Sequence, residues 1–152
     1  MRRKEKEIDE FAENEAVLRS AQICRLGLCD KGIPYVVPLC YGYKNKTLYF
    51  HCAPKGRKLD IIRDNNNVCF EIETDLESVR DEEACKWTFK YRSVIGFGKA
   101  SLVEGLDAKR DAFAIIMGHY SDGKYDFPES NVNGVALVRI DIESMTGKRS
   151  GY

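Results

Sequence analysis

Three runs of β-branched and aromatic residues lie between Ile23 and Cys52, separated only by Asp30-Lys31-Gly32 and Lys44-Asn45-Lys46. Connections this short can join only antiparallel neighbours, because a parallel crossover needs a dozen or more residues. The first run carries Ile23, Cys24, Leu26, Leu28 and Cys29, and it reads as a hairpin with the second, residues 35–43. Residues 47–52 then continue a three-stranded meander. Pro38 lacks an N–H for the ladder, so it predicts an edge or a bulge whose neighbouring backbone groups are free for a ligand.

Before this meander, Asp9 is a candidate N-cap for a helix with Ile8, Phe11, Ala12, Val17, Leu18 and Ala21 at helical spacing, expected to pack on the sheet. After it, residues 55–64 read as a short helix with Leu59, Ile61 and Ile62 inward, stopped by Asn65-Asn66-Asn67. A strand over 68–74 follows, and then an acidic segment, 75–83, expected to be a solvated loop. Residues 86–102 are too long for one flat strand and should bend at Gly96 or Gly98. The pattern closes with a helix over 106–120, a polar loop over 122–133 and a last strand over 135–142. The expected class is mainly β with helices (α+β), an antiparallel small barrel closed by helices. With no repeat, linker or low-complexity run, one domain over 1–152 is expected.

Hydrophobic residues make up 43% of the chain, enough for a true core. Lys plus Arg and Asp plus Glu number 24 each, so the net charge is zero and offers no broad attraction for nucleic acid or an anionic membrane. No stretch approaches the ~18 apolar residues of a membrane helix, and the charged residues 1–9 lack the apolar core of a signal peptide. A cytoplasmic location is expected, and it removes any meaning from the sequon Asn45-Lys46-Thr47. The six cysteines, Cys24, Cys29, Cys40, Cys52, Cys69 and Cys85, form no Cys-x-x-Cys pair and read as thiols, with no metal site expected.

Two phosphate-loop lookalikes fail on chemistry. In the run from Gly118 to Tyr125, Tyr125 stands where a magnesium-holding hydroxyl is needed, and the loop follows a helix. The run from Gly96 to Ser101 lacks the third glycine of a dinucleotide fingerprint and sits in a strand. The stretch over 48–62 is different, because a strand turns through Pro54 and Gly56 into a helix whose start carries Arg57 and Lys58. Cations there oppose the helix dipole unless an anion compensates, and a phosphomonoester would supply that charge. A forked guanidinium beside an ammonium suits such a group, although a solvated basic turn has the same charge pattern. His51 alternates with Tyr49 on the strand and reads either as a wall residue or as a reactive group beside the clamp; His119 reads as a helix C-terminal cap partner.

These residues resemble the flavin-binding family that includes pyridoxamine 5'-phosphate oxidase, and more closely its nitroimidazole-resistance branch. The matching pieces run in order through the chain: residues 1–4, 24–28, 32–39, 49–53, 56–60, 91–100 and 146–148. The resemblance implies a split β-barrel homodimer with FMN, or FAD, at the subunit interface. Arg57 and Lys58 would then take the phosphate, while Pro38, Leu39, Cys40 and Tyr41 would pass the isoalloxazine ring with backbone contacts. His51 would lie near the flavin, Ser93 and Val94 would line the cleft, and Trp87 and Arg92 would serve as interface packing or as a wall from the partner. The C-terminal arginine segment that holds pyridoxal phosphate in the oxidases has no counterpart here, which argues against vitamin B6 oxidation. The implied activity is electron transfer from reduced nicotinamide to a small acceptor such as a nitroaromatic, with His51 orienting or protonating it. A flavin carrier or sensor without turnover, and a haem protein with His51 as ligand, are the alternatives.

Overall fold

In the first hairpin every second side chain of one strand, Cys24, Leu26 and Leu28, is buried, as alternation on a half-covered sheet requires. A computed structural model describes residues 3–152 of the chain. The elements, in order, are β1 (Glu7–Ile8), α1 (Phe11–Ser20), β2 (Cys24–Asp30), β3 (Ile33–Leu39), β4 (Gly42–Lys44), β5 (Thr47–Cys52) and α2 (Arg57–Asp64). They continue with β6 (Asn67–Val79), β7 (Thr88–Leu102), α3 (Leu106–Tyr120), α4 (Glu129–Asn133) and β8 (Ala136–Ser150). The strands form one antiparallel sheet in the order β3-β2-β6-β7-β8-β5-β4, with β1 added along β8. No described helix is long and apolar enough to cross a membrane.

The sheet is open rather than closed, with β3 and β4 as its edges. These edges come from the single strand expected over 35–43, which breaks at residues 40–41, so the meander does not form. Tyr41 is the cause: its buried hydroxyl donates to the Leu18 carbonyl at 2.7 Å, and its own N–H donates to the Tyr120 hydroxyl at 2.9 Å. A residue drawn into the core at both ends cannot also serve a strand ladder. Pro34 and Pro38 both lie on edge strand β3, where a missing N–H costs nothing.

Other boundaries moved for tertiary reasons. The acidic segment is half strand: β6 restarts after a bulge at Asp75 (φ 57°) and pairs Glu77 with Lys90 and Val79 with Thr88, making a two-stranded arm. Strand β7 slips register against β8 between Phe97 and Gly98, near the expected bend. Strand β8 runs on to Ser150, because β7 and β1 supply partners along its length. The loop expected over 122–133 contains α4.

Helix α1 starts one residue later than expected, after Glu10 and without a side-chain cap; it buries Asn14, Val17 and Leu18 and leaves Phe11 exposed. The main core gathers Leu18, Tyr41, Phe50, Phe70 and Ile72 inside the sheet, and a smaller one unites Val103, Ala112, Ile116 and Leu137 beneath α3. Helix α3 lies so close to β4 that a Cβ at Gly42 would come within 2.6 Å of the Ile115 carbonyl oxygen.

Candidate functional site

Strand β5 delivers the chain to Gly56, whose φ of 139° is a conformation that glycine adopts without penalty. Helix α2 begins at the next residue, with no side chain capping it. Leu59, Ile61 and Ile62 are buried and anchor the helix, which leaves its first two residues at the rim. Arg57 lays its guanidinium 4.6 Å above the Tyr35 ring, and its Nη2 lies 3.5 Å from Asp30 Oδ2. The Lys58 ammonium stands 5.2 Å above the Phe50 ring. Burial raises the Cys52 thiol above its ordinary range, and the charge of Lys58 pulls the other way. Both cations are therefore positioned by aromatic faces instead of by close ion pairs, and exposed pairs like Arg57–Asp30 are worth under ~1 kcal/mol. Tyr35 and Asp30 position Arg57 but have no signal in sequence, because they come from a hairpin more than twenty residues upstream.

Strand β3 runs from Tyr35, beneath Arg57, to Leu39, a span of ~13 Å at strand rise. Pro38 is exposed opposite Arg25, Leu39 is nearly buried, Cys40 is exposed and Tyr41 is buried. The structure thus lines up the clamp and the segment holding Pro38, Leu39, Cys40 and Tyr41 along one sheet edge. Ser93 is half-buried between Glu73 and Lys148 on the neighbouring strands, whereas Val94 points into the core. Trp87 is 55% exposed and its indole N–H donates to the Asp81 carbonyl at 2.6 Å. Arg92 pairs with Asp75 and lies 4.4 Å from the Tyr152 ring centroid. Trp87 and Arg92 therefore sit on or at the root of the arm, with partners other than the clamp. Of the resemblance pieces, Met1 and Arg2 lie outside the described residues.

Strand alternation puts His51 on the face of β5 opposite Phe50, so it does not join Lys58. It is exposed, and its ring lies 5.7 Å from that of Phe113 on α3, which in turn stacks on Phe127 at 5.4 Å. His119 does not cap its own helix: its Nε2 lies 2.7 Å from the carbonyl oxygen of Ala21, at the end of α1. A cavity of about 1010 Å³ between α3 and the β4–β5 hairpin, with Arg19, Lys44, Tyr49, Asp111 and Arg139 in its walls, includes none of the clamp residues.

The outer sheet face exposes several large apolar side chains beside a charged cluster. Val36, Gly27, Cys69 and Phe97 form one row across four strands, and Pro38, Arg25, Glu71 and Ile95 form the next. Val36 is 62%, Phe97 53% and Ile95 45% exposed. Arg25 holds Glu71 and Glu73 at 3.1 and 2.8 Å, and burial raises the Glu71 carboxyl despite that guanidinium.

An open antiparallel sheet, with a cation pair at a helix start and exposed apolar side chains on its outer face, defines a small α+β protein. The chain belongs to the pyridoxamine 5'-phosphate oxidase family, whose model matches residues 10–149. It is similar to a Bacteroides thetaiotaomicron protein provisionally named for 5-nitroimidazole antibiotic resistance: 33% identity, 94% of this chain and 86% of that one, TM-score 0.85. A FAD-binding protein of Mesorhizobium loti is 25% identical over 93% of this chain and 96% of its own, with a TM-score of 0.69. An uncharacterized protein of Rhizobium meliloti is 29% identical over 82 residues, and the chain spans about half (53%) of that curated relative's length. The family expected from the ordered pieces is therefore the family found.

Proposed function

We propose that this protein is a flavin-dependent oxidoreductase that takes FMN and passes electrons from reduced nicotinamide to a small acceptor, nitroaromatics among them. The observation that carries the reading is the pair Arg57 and Lys58 in the first turn of α2 behind a glycine, aimed by Tyr35 and Phe50 and lacking a strong acidic partner. A phosphate fits there because the helix start is positive, no side chain caps it and its first two residues carry cations. Edge strand β3 then offers backbone groups over a length that suits the rest of the cofactor. The names of the Bacteroides and Mesorhizobium proteins support both a flavin and a nitroimidazole acceptor. Bound in this way, a flavin supplies redox chemistry that none of the protein's side chains has. The protein's own residues bind the phosphate (Arg57, Lys58), flank the ring with backbone (Pro38, Leu39, Cys40, Tyr41) and line the cleft (Ser93), while Val94, expected beside Ser93, is taken up by the core instead. His51, across β5, holds or delivers a proton at the acceptor.

The reading includes a split β-barrel homodimer in which a second copy covers Val36, Ile95 and Phe97 and brings Trp87 and Arg92 towards its neighbour's cofactor. An apolar face this exposed on an isolated chain supports a protein partner. Phe97→Glu should shift the purified protein from dimer to monomer in light scattering while leaving its circular dichroism intact; a wild type that is monomeric at micromolar concentration removes the dimer.

The activity is tested on the protein as purified. A yellow preparation with flavin absorption bands should bleach with reduced nicotinamide and recover its colour on adding a nitroimidazole. Colour that does not change would assign a carrier or sensor, a Soret band would assign haem, and a colourless protein that ignores added FMN would end the flavin reading.

A further inference from the structure

Beside His51 stand two rings, Phe113 and Phe127, that the flavin reading leaves without a purpose. Phe113 packs on the small core of Val103, Ala112, Ile116 and Leu137, so its plane is fixed by α3. Phe127 stacks on it nearly parallel, at 17°, and is held in place by Arg110, whose Nε–H donates to the Phe127 carbonyl at 3.2 Å. His51 leans on Phe113 at 5.7 Å and 39° and is exposed, so the aromatic cluster presents an imidazole open to solvent. Ring clusters of this kind accept a further flat π system by offset stacking, and they give a non-aromatic molecule of equal size nothing comparable. The residues that buttress the imidazole thus also decide how a flat molecule lies on it.

We infer that Phe113 and Phe127 determine specificity by setting the plane of His51 so that it stacks a planar aromatic second substrate; this rests on the oxidoreductase reading for what the substrate does next, though not for its binding. A cluster that served only to fasten residues 121–128 to α3 would keep its rings but show no preference for flat molecules.

The protein contains only two histidines, so imidazole carbon–proton spectra of the protein as purified resolve the question. His119 is the internal control, because its Nε2 is engaged by the Ala21 carbonyl at 2.7 Å. Titration with 2-methyl-5-nitroimidazole should shift the His51 resonance saturably and leave that of His119 in place, and nitroethane should shift neither. Phe113→Leu should weaken the nitroimidazole response roughly three- to tenfold, Phe127→Leu by less, and Phe113→Tyr should retain it. If Phe113→Leu disturbs folding, the His119 resonance reports it and Phe127→Leu carries the comparison. A His51 resonance that ignores nitroimidazole, moves equally with nitroethane, or responds undiminished in the leucine variants overturns the inference. Binding of nitroimidazole to a colourless protein that ignores added FMN would leave the inference standing and remove the oxidoreductase reading, so the two fail separately.

Discussion

Replacing Arg57 and Lys58 together by alanine is expected to lower FMN affinity by about 2 to 5 kcal/mol, a loss of roughly thirtyfold to several thousandfold. Both side chains would make charge-assisted contacts to a doubly charged group held at a helix start, where dielectric screening is reduced. The same substitution should do little harm to the flavin-free protein. Arg57 gives up an exposed pair with Asp30 at 3.5 Å and its contact with Tyr35, and Lys58 gives up its position over Phe50. Against these small losses, two cations leave the positive end of α2, which relieves ~0.3–1 kcal/mol each. Flavin affinity and flavin-free stability should therefore move apart, and titration followed by flavin fluorescence together with thermal unfolding of the stripped protein reads both. A double variant that purifies with a full complement of flavin would show that the clamp is misassigned.

Gly42→Ala should destabilise the protein by about 3 kcal/mol, at the upper end for overpacking, and lower its melting temperature by roughly 6 to 12 °C. The new methyl would stand 2.6 Å from the Ile115 carbonyl oxygen and 2.7 Å from Ile116 Cα, both backbone atoms that no rotamer change can move. Helix α3 would have to lift from β4, taking with it Tyr120, whose hydroxyl accepts from the Tyr41 N–H. Gly118 on the same helix is the opposite case, since a Cβ there would meet nothing within 4 Å. Gly118→Ala should stabilise by ~0.5–1 kcal/mol through helix propensity alone. Calorimetry on the two variants separates a glycine required by close approach from one that is not; equal effects would mean that the packing of α3 on β4 is looser than described.

The candidate clamp was legible as a candidate because its signal is local. Arg57 and Lys58 stand next to each other in the chain, and the glycine before them marks the helix start, so the clamp could be read without knowing its surroundings. Tyr35 and Asp30, which position Arg57, come from another hairpin, and nothing along the chain links them to it. His51 was visible as a candidate, but Phe113 and Phe127 meet it from more than sixty residues away. The outer apolar rows become visible only once the register of β3, β2, β6 and β7 brings Val36, Gly27, Cys69 and Phe97 side by side.

What the amino-acid order determined by itself was whatever a few neighbouring residues can decide through turn geometry, alternation and helical spacing. That includes the hairpin about Lys31 and Gly32, the bounds of α3, the inward face of α2 and the edge position that Pro38 predicts. Tertiary structure alone decided that the sheet stays open, that Tyr41 divides one expected strand into two opposite edges, that β8 extends to Ser150 and that His51 and Lys58 lie on different faces of β5. Each of those outcomes depends on hydrogen bonds or contacts between segments far apart in the chain, whose energy exists only once the core has brought them together.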